Sequence, residues 1–214
     1  SFSDSSKCTN IKNICDKLDK VVGIKTPMMI ASGTIIDNKI IVTNRHVVED
    51  HKQFVIKFNN GEIKKAFPLP HNFPADLALL SLKKEPHKLN ELSKSNNIKG
   101  KIRVVAYDQG RNANRIYKLG KIISFSDFNR YPQARIHTNA KSLPGNSGGS
   151  VVDENGDLIG ILASGDGNIN EVIPVSLINK IIENTDLKHK DDFFKKGNDI
   201  KLCADNLETA FNVK

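Results

Sequence analysis

The 214-residue sequence predicts an all-β fold built as two antiparallel barrels. Three observations predict it. Short runs of β-branched and aliphatic residues recur along most of the chain, turn signals rich in Asn, Asp and Gly separate them, and one polar stretch divides them into two groups of six. Evenly spaced short strands of this kind are satisfied by closure, which removes unpaired strand edges.

Taken in order, Asn10 to Lys20 is predicted as a short helix. Ile11, Ile14 and Leu18 fall on one face, and Thr9 is available as a cap. Strands are then expected at 21–24, 28–36, 40–43, 54–58, 63–67 and 77–82, so that the first barrel covers about 21–82. Residues 83–100 turn to Lys, Glu, Asn and Ser and are expected as the connector, with Leu89 and Leu92 packing locally. The second barrel, about 101–175, takes strands at 101–107, 115–125, 134–138, 150–152, 158–163 and 171–175. Ser176 to Asn184 reads as a helix capped by Ser176, with Leu177, Ile178, Ile181 and Ile182 inward. A charged tail follows, and a last helix is expected over 200–211. The whole of 1–214 is read as one domain.

Composition narrows the function classes. No apolar run is long enough for a membrane span. The net charge of +8 is spread over the chain without aromatic interleaving or a basic helix stripe, which argues against nucleic-acid binding. The three cysteines lack the CxxC spacing of zinc or redox motifs. They permit at most one internal disulfide, from Cys8 or Cys15 to Cys203 in an oxidising compartment, and are three plain thiols in a reducing one. Asp153-Glu154-Asn155-Gly156-Asp157 lacks the ligand pattern of a calcium loop and is expected as a hairpin turn. No metal or cofactor is implied.

Leu143-Pro144-Gly145-Asn146-Ser147-Gly148-Gly149 places a hydroxyl among glycines that let a substrate approach main-chain N–H groups. A serine hydroxyl is a poor nucleophile until a base takes its proton and donors stabilise the oxyanion it creates. His46 follows the apolar run Ile40-Ile41-Val42-Thr43 and is the candidate base. Asp76 stands at the mouth of the apolar strand Leu77-Ala78-Leu79-Leu80, where a carboxylate needs a partner. An imidazole N–H is a suitable one. His51, His71, His87 and His189 lie in polar stretches and are expected at the surface, while His137 has no assigned role.

The order His46, Asp76, Ser147 and the words around it resemble the chymotrypsin-fold serine proteases, and within them the HtrA (Deg) group. Ala31-Ser32-Gly33-Thr34-Ile35-Ile36 is similar to that group's GSG-V-I-I strand, and Val42 to Val48 to LTNxHVV. Asp76-Leu77-Ala78-Leu79-Leu80 resembles DxAL(L/I). His137-Thr138-Asn139-Ala140 with Pro144 to Gly149 resembles QTDA and xGNSGG. The match spans roughly Val21 to Ile182.

The resemblance implies a serine endopeptidase acting on proteins or peptides without cofactor, with catalytic residues His46, Asp76 and Ser147 and an acyl-enzyme intermediate. It implies an oxyanion hole from the N–H groups of Gly145 and Ser147, with Asn146 as a further donor, and loop rearrangements there as a means of control. It places Lys141, Ser142, Ala163 and Ser164 around the specificity pocket. There Lys141 either receives an acidic side chain or faces solvent, leaving a pocket for small or aliphatic ones. The family's usual PDZ domain exceeds the about thirty residues after Asn184. Its trimer contacts use N-terminal aromatics, of which Phe2 is present here, so monomer and trimer stay open. An exported setting, periplasmic or secreted, is expected, although Ser1 to Ser6 shows no signal peptide. The alternative is a protease-fold binding protein with a collapsed oxyanion hole.

Overall fold

The structure is a computed structural model that describes residues 12–37, 40–49, 51, 53–71, 73–83, 89–93, 100–126, 134–165 and 168–185. Strands β1 (Val21–Lys25), β2 (Ile30–Asp37), β3 (Ile40–Thr43), β4 (Phe54–Lys57), β5 (Ile63–Leu69) and β6 (Ala78–Ser81) close into a barrel in the order β1-β2-β3-β6-β5-β4. The second group comprises β7 (Lys101–Asp108), β8 (Ala113–Ile116), β9 (Gly120–Phe125), β10 (Ile136–Thr138), β11 (Ser150–Asp153), β12 (Leu158–Gly165) and β13 (Asn170–Pro174). It runs β11-β12-β13-β10-β9-β7-β8, and β11 also pairs with β7. That pairing closes six strands into the second barrel and leaves β8 as the outer arm of the β7–β8 hairpin. All these ladders are antiparallel, as the two-barrel expectation requires.

The interior explains why β3 and β6 read as unbroken apolar runs. Ile41 and Leu80 point into the first barrel beside Val22, Ile24, Phe54 and Ile56. Ile40, Val42 and Leu79 point the other way, onto Ile161 and Ile173 of the second barrel and Ile178 of helix α3 (Val175–Glu183). A strand buried on both faces has no alternation to show. Each such side chain removed from water contributes about 1.5–3 kcal/mol, so these two strands are firm supports of the first barrel. The connector is tied to α3 as well: Asn179 accepts from the Leu92 N–H at 2.8 Å and donates to its carbonyl at 3.0 Å.

Several elements differ from expectation for visible reasons. The predicted N-terminal helix is a single α turn, α1 (Lys12–Cys15), tightened into a 3₁₀ segment at Asp16–Lys20. The tightening still delivers Ile14 and Leu18 onto Val21, Val105 and Val152. The strand expected over 115–125 is two strands. Tyr117 breaks it by turning inward, and Gly120 resumes it where a Cβ would run into the Ala140 backbone. Helix α3 begins at Val175, so Ser176 lies inside its first turn, and Pro174 occupies the N-cap position without a side-chain cap. The 153–157 hairpin forms as expected, with Asp153 Oδ1 accepting from the N–H groups of Asn155 and Asp157 at 2.9 and 3.0 Å. Cys15 is disulfide-bonded, while Cys8, Cys203 and the helix expected over 200–211 lie outside the described residues. No helix among the described residues is long and apolar enough to cross a membrane.

Candidate active site

The register of β3 on β6 pairs Thr43 with Ala78, so the residues just beyond each strand end meet. One such segment is the single-turn helix α2 (Arg45–Val48), which carries His46; the other carries Asp76. Asp76 holds His46 twice, accepting from its backbone N–H through Oδ1 at 3.0 Å and bonding its ring Nδ1 through Oδ2 at 2.8 Å. An ionised carboxylate only accepts, so it fixes the proton on Nδ1 and leaves Nε2 as the free base. Asn44 braces the pair from below, its Nδ2 donating to the Asp76 carbonyl at 3.1 Å. Burial opposes a charge on His46 and the nearby Arg45 adds to that opposition. The hydrogen bond and charge of Asp76 outweigh both, and the ring titrates above its ordinary 6.5.

Asp76 sits on a loop whose shape depends on a second histidine. His71 is buried, against the expectation that it lies at the surface. Its Nε2–H donates to the Leu77 carbonyl at 2.9 Å, and its Nδ1 accepts from the Phe73 N–H at 3.2 Å. The ring is an intraloop connector. Burial pushes its pKa down to about 4.

The loop that carries Ser147 is fastened to the first barrel. The Ser147 carbonyl accepts from the Ser32 N–H at 2.8 Å, and the Gly148 carbonyl accepts from Thr34 Oγ1 at 3.1 Å. Gly148 has φ of +90°, and a Cβ there would run into the Ser32 carbonyl and Thr43 Oγ1. Only glycine permits so close an approach to the strand end that carries His46. The Ser147 hydroxyl is turned to the carbonyl of Ala163, 2.9 Å away, and among the described residues it makes no hydrogen bond with His46.

The preceding residues form a tight turn. The Asn146 N–H donates to the Leu143 carbonyl at 3.1 Å, and Gly145 has φ of +95°. A proline at the second position and a glycine with positive φ at the third are the marks of a type II turn. The Gly145 and Ser147 N–H groups have no acceptor among the described residues. The Asn146 N–H, expected as a further donor, is committed within the turn. Its buried side chain acts as a brace instead, with Nδ2 donating to the Tyr107 carbonyl at 3.0 Å and the Tyr117 hydroxyl at 2.9 Å, and Oδ1 accepting from the Leu143 N–H at 2.6 Å.

The family model for the trypsin-like peptidase domain matches residues 31–161, from β2 into β12. The chain belongs to that family. Among its relatives it is similar to a "Serine protease HtrA-like" protein of Staphylococcus aureus strain USA300, 30% identical over 187 residues, or 78% of this chain and 24% of that one. A "Probable periplasmic serine endoprotease DegP-like" protein of Buchnera aphidicola is 30% identical over 169 residues, 71% of this chain and 35% of that one. The chain thus spans about a quarter to a third of the curated relatives it matches. In fold it is similar to the serine endoprotease from Yersinia pestis, with a TM-score of 0.65, 23% identity, and 82% of this chain and 66% of that one covered.

In this member of the trypsin-like peptidase family, the residues expected around the specificity pocket separate into two groups. Ser142, Ala163 and Ser164 lie on connected elements: Ser142 Oγ donates to Asn170 Oδ1 at 2.9 Å, and β13, which begins at Asn170, pairs with the strand that carries Ala163 and Ser164. Lys141 is exposed. Asn170 itself is buried, with Nδ2 donating to the Ala140 carbonyl at 2.7 Å and its side chain packed on Gly165. Asn170, His71, Ser32 and the Asn146 side chain are the residues that sequence reading missed. Ser32, Asn146 and Asn170 act through partners distant in sequence, and His71 through the fold of its own loop.

Proposed function

We propose that the chain is a serine endopeptidase in which His46, Asp76 and Ser147 hydrolyse peptide bonds through an acyl-enzyme. The observation that carries the reading is the double hold of Asp76 on His46, which sets the imidazole tautomer needed to take a proton at Nε2. Ser147 Oγ rotates about its Cα–Cβ bond from Ala163 toward Nε2, loses its proton to His46 and attacks the substrate carbonyl. The oxyanion is received by the N–H groups of Gly145 and Ser147, whose hydrogen bonds strengthen as charge develops. His46 returns the proton to the leaving amine. A water molecule then repeats the sequence on the acyl ester and frees Ser147.

Ser142 Oγ is paired with Asn170 Oδ1, Asn170 Nδ2 with the Ala140 carbonyl, and Lys141 is exposed. A small or aliphatic side chain before the scissile bond is the preference we propose. The disulfide at Cys15 supports an oxidising, exported compartment, periplasmic or secreted.

A second reading, a protease-fold binding protein, is favoured by one feature: the nucleophile's hydroxyl is satisfied by Ala163 rather than by His46. A fluorophosphonate probe separates the two. Labelling of the wild type that disappears in Ser147→Ala is the expected result. An unlabelled wild type under all conditions tried would leave the binding reading standing.

A further inference from the structure

A type II turn and a type I turn differ by rotation of their central peptide, and only the type II form places the third residue at positive φ. In this molecule the central peptide is Pro144–Gly145. Proline fixes its own φ but leaves ψ free, so the rotation is open to it. In the other orientation the Pro144 carbonyl replaces the Gly145 N–H, and an acceptor faces the substrate oxygen where a donor is needed. What holds this one peptide therefore decides whether the site has its donors.

The flanking peptide is held by the first barrel. The Gly145 carbonyl accepts from Ser32 Oγ at 2.9 Å. The pivoting peptide is held differently. Among the described residues, the only hydrogen bond to the Pro144 carbonyl is from Gln109 Nε2, at 3.2 Å. The Gln109 side chain also lies against Gly145, with its amide about where a Cβ would make contact, 3.4 Å away. Peptide bonds here are trans, so a carbonyl turned toward Gln109 sends the Gly145 N–H the opposite way.

Gln109 is itself well placed. It begins the β7–β8 turn, which Asp108 braces by accepting from the Gly110 N–H at 3.0 Å and bonding Arg115 at 3.2 Å. Tyr107, two residues earlier, is fastened to the same loop through the Asn146 side chain and to Ser32 Oγ through its N–H at 3.0 Å. The base of the Gln109 side chain is therefore fixed relative to the turn it holds.

We propose that Gln109 is a positioning residue, an amide latch on the Pro144–Gly145 peptide that keeps the Gly145 N–H directed at the substrate oxygen. The inference rests on the peptidase reading for its kinetic consequence and on geometry alone for its structural one. Gln109→Glu tests both. The substitution keeps the length of the side chain, but the ionised carboxylate cannot donate to Pro144 and instead accepts from a rotated Gly145 N–H. Crystal structures of the wild type and Gln109→Glu at neutral pH are expected to show Gly145 with positive φ in the first and negative φ in the second. Peptide hydrolysis is expected to lose about tenfold or more in kcat, with KM and the thermal midpoint little changed. Gln109→Lys, which keeps a donor, is expected to retain most of the activity. A turn that remains type II in Gln109→Glu overturns the proposal, whether or not the protein reacts with a fluorophosphonate. Should the wild type fail to react, the peptidase reading falls separately and the two crystal structures still decide the latch.

Discussion

The two barrels contribute to the site by different means. In the first, His46 and Asp76 lie just beyond the ends of strands buried on both faces, and their meeting follows from the β3–β6 register. In the second, Ser147 follows a turn held by two side chains from elsewhere, Ser32 and Gln109, and by the turn's own Asn146, which reaches out to Tyr107. Shifting the base half out of place requires breaking a sheet. Shifting the nucleophile half requires losing one or two hydrogen bonds, each worth about 0.5–1.5 kcal/mol net. Under the proposed mechanism this division keeps the His46–Asp76 pair assembled while the oxyanion turn remains open to control.

The largest effect should come from the rigid half. Asp76→Asn preserves shape but removes the charge and the preference for the Nδ1–H tautomer, so kcat should fall by about 10⁴ with the fold intact by circular dichroism. Its pH profile gives a sharper reading. Only neutral His46 accepts a proton, so wild-type kcat/KM should rise with pH through a pKa above 6.5. Without the two contributions of Asp76, burial prevails and the residual activity should rise through a pKa below 6.5. An unshifted limb in Asp76→Asn would mean that Asp76 does not set the basicity of His46.

Asn146→Ala breaks the other half. It strips partners from the Tyr107 carbonyl, the Tyr117 hydroxyl and the Leu143 N–H in a buried place. Stability should fall by about 2–4 kcal/mol in urea unfolding. kcat should drop by about 100-fold as the turn loses its shape, while Ser147 alone is untouched. If the rate fell no further than the folded fraction, the brace would serve stability and not the oxyanion turn.

The contrast between halves also marks what the sequence discloses. Ile40 to Thr43 and Leu77 to Leu80 are legible because doubly buried strands must be apolar throughout, and His46 and Asp76 stand out as polar residues at their ends. Ser147 is legible because its glycines answer a local steric demand. The braces of the turn are not. Ser32 and Gly145 are 113 residues apart, Asn146 and Tyr107 are 39, and nothing near either partner announces the other. The interruption at Tyr117 escapes for the same reason, since its inward turn serves Asn146 rather than the local strand pattern. Gln109 is an ordinary surface residue until the fold sets Pro144 beside it.

The smallest expected effect concerns the weak point of the rigid half. His71 links the Asp76 loop in its neutral form, accepting from Phe73 and donating to Leu77. Its folded pKa of about 4 lies below the ordinary 6.5. The unfolded chain therefore binds a proton first as pH falls, and the stability that neutral His71 supports is complete above 6.5 and lost as pH drops toward 4. The loss between pH 7 and pH 4 is on the order of 3 kcal/mol. His71→Gln should be less stable than the wild type at pH 7, yet its unfolding free energy should decline less between those two pH values. At pH 5, where His71 is still neutral in the folded protein, the wild type should already have lost part of this stability without a change in the near-ultraviolet spectrum. Equal pH slopes for the two proteins would assign the acid sensitivity to other groups and leave the base half without an acid-labile joint.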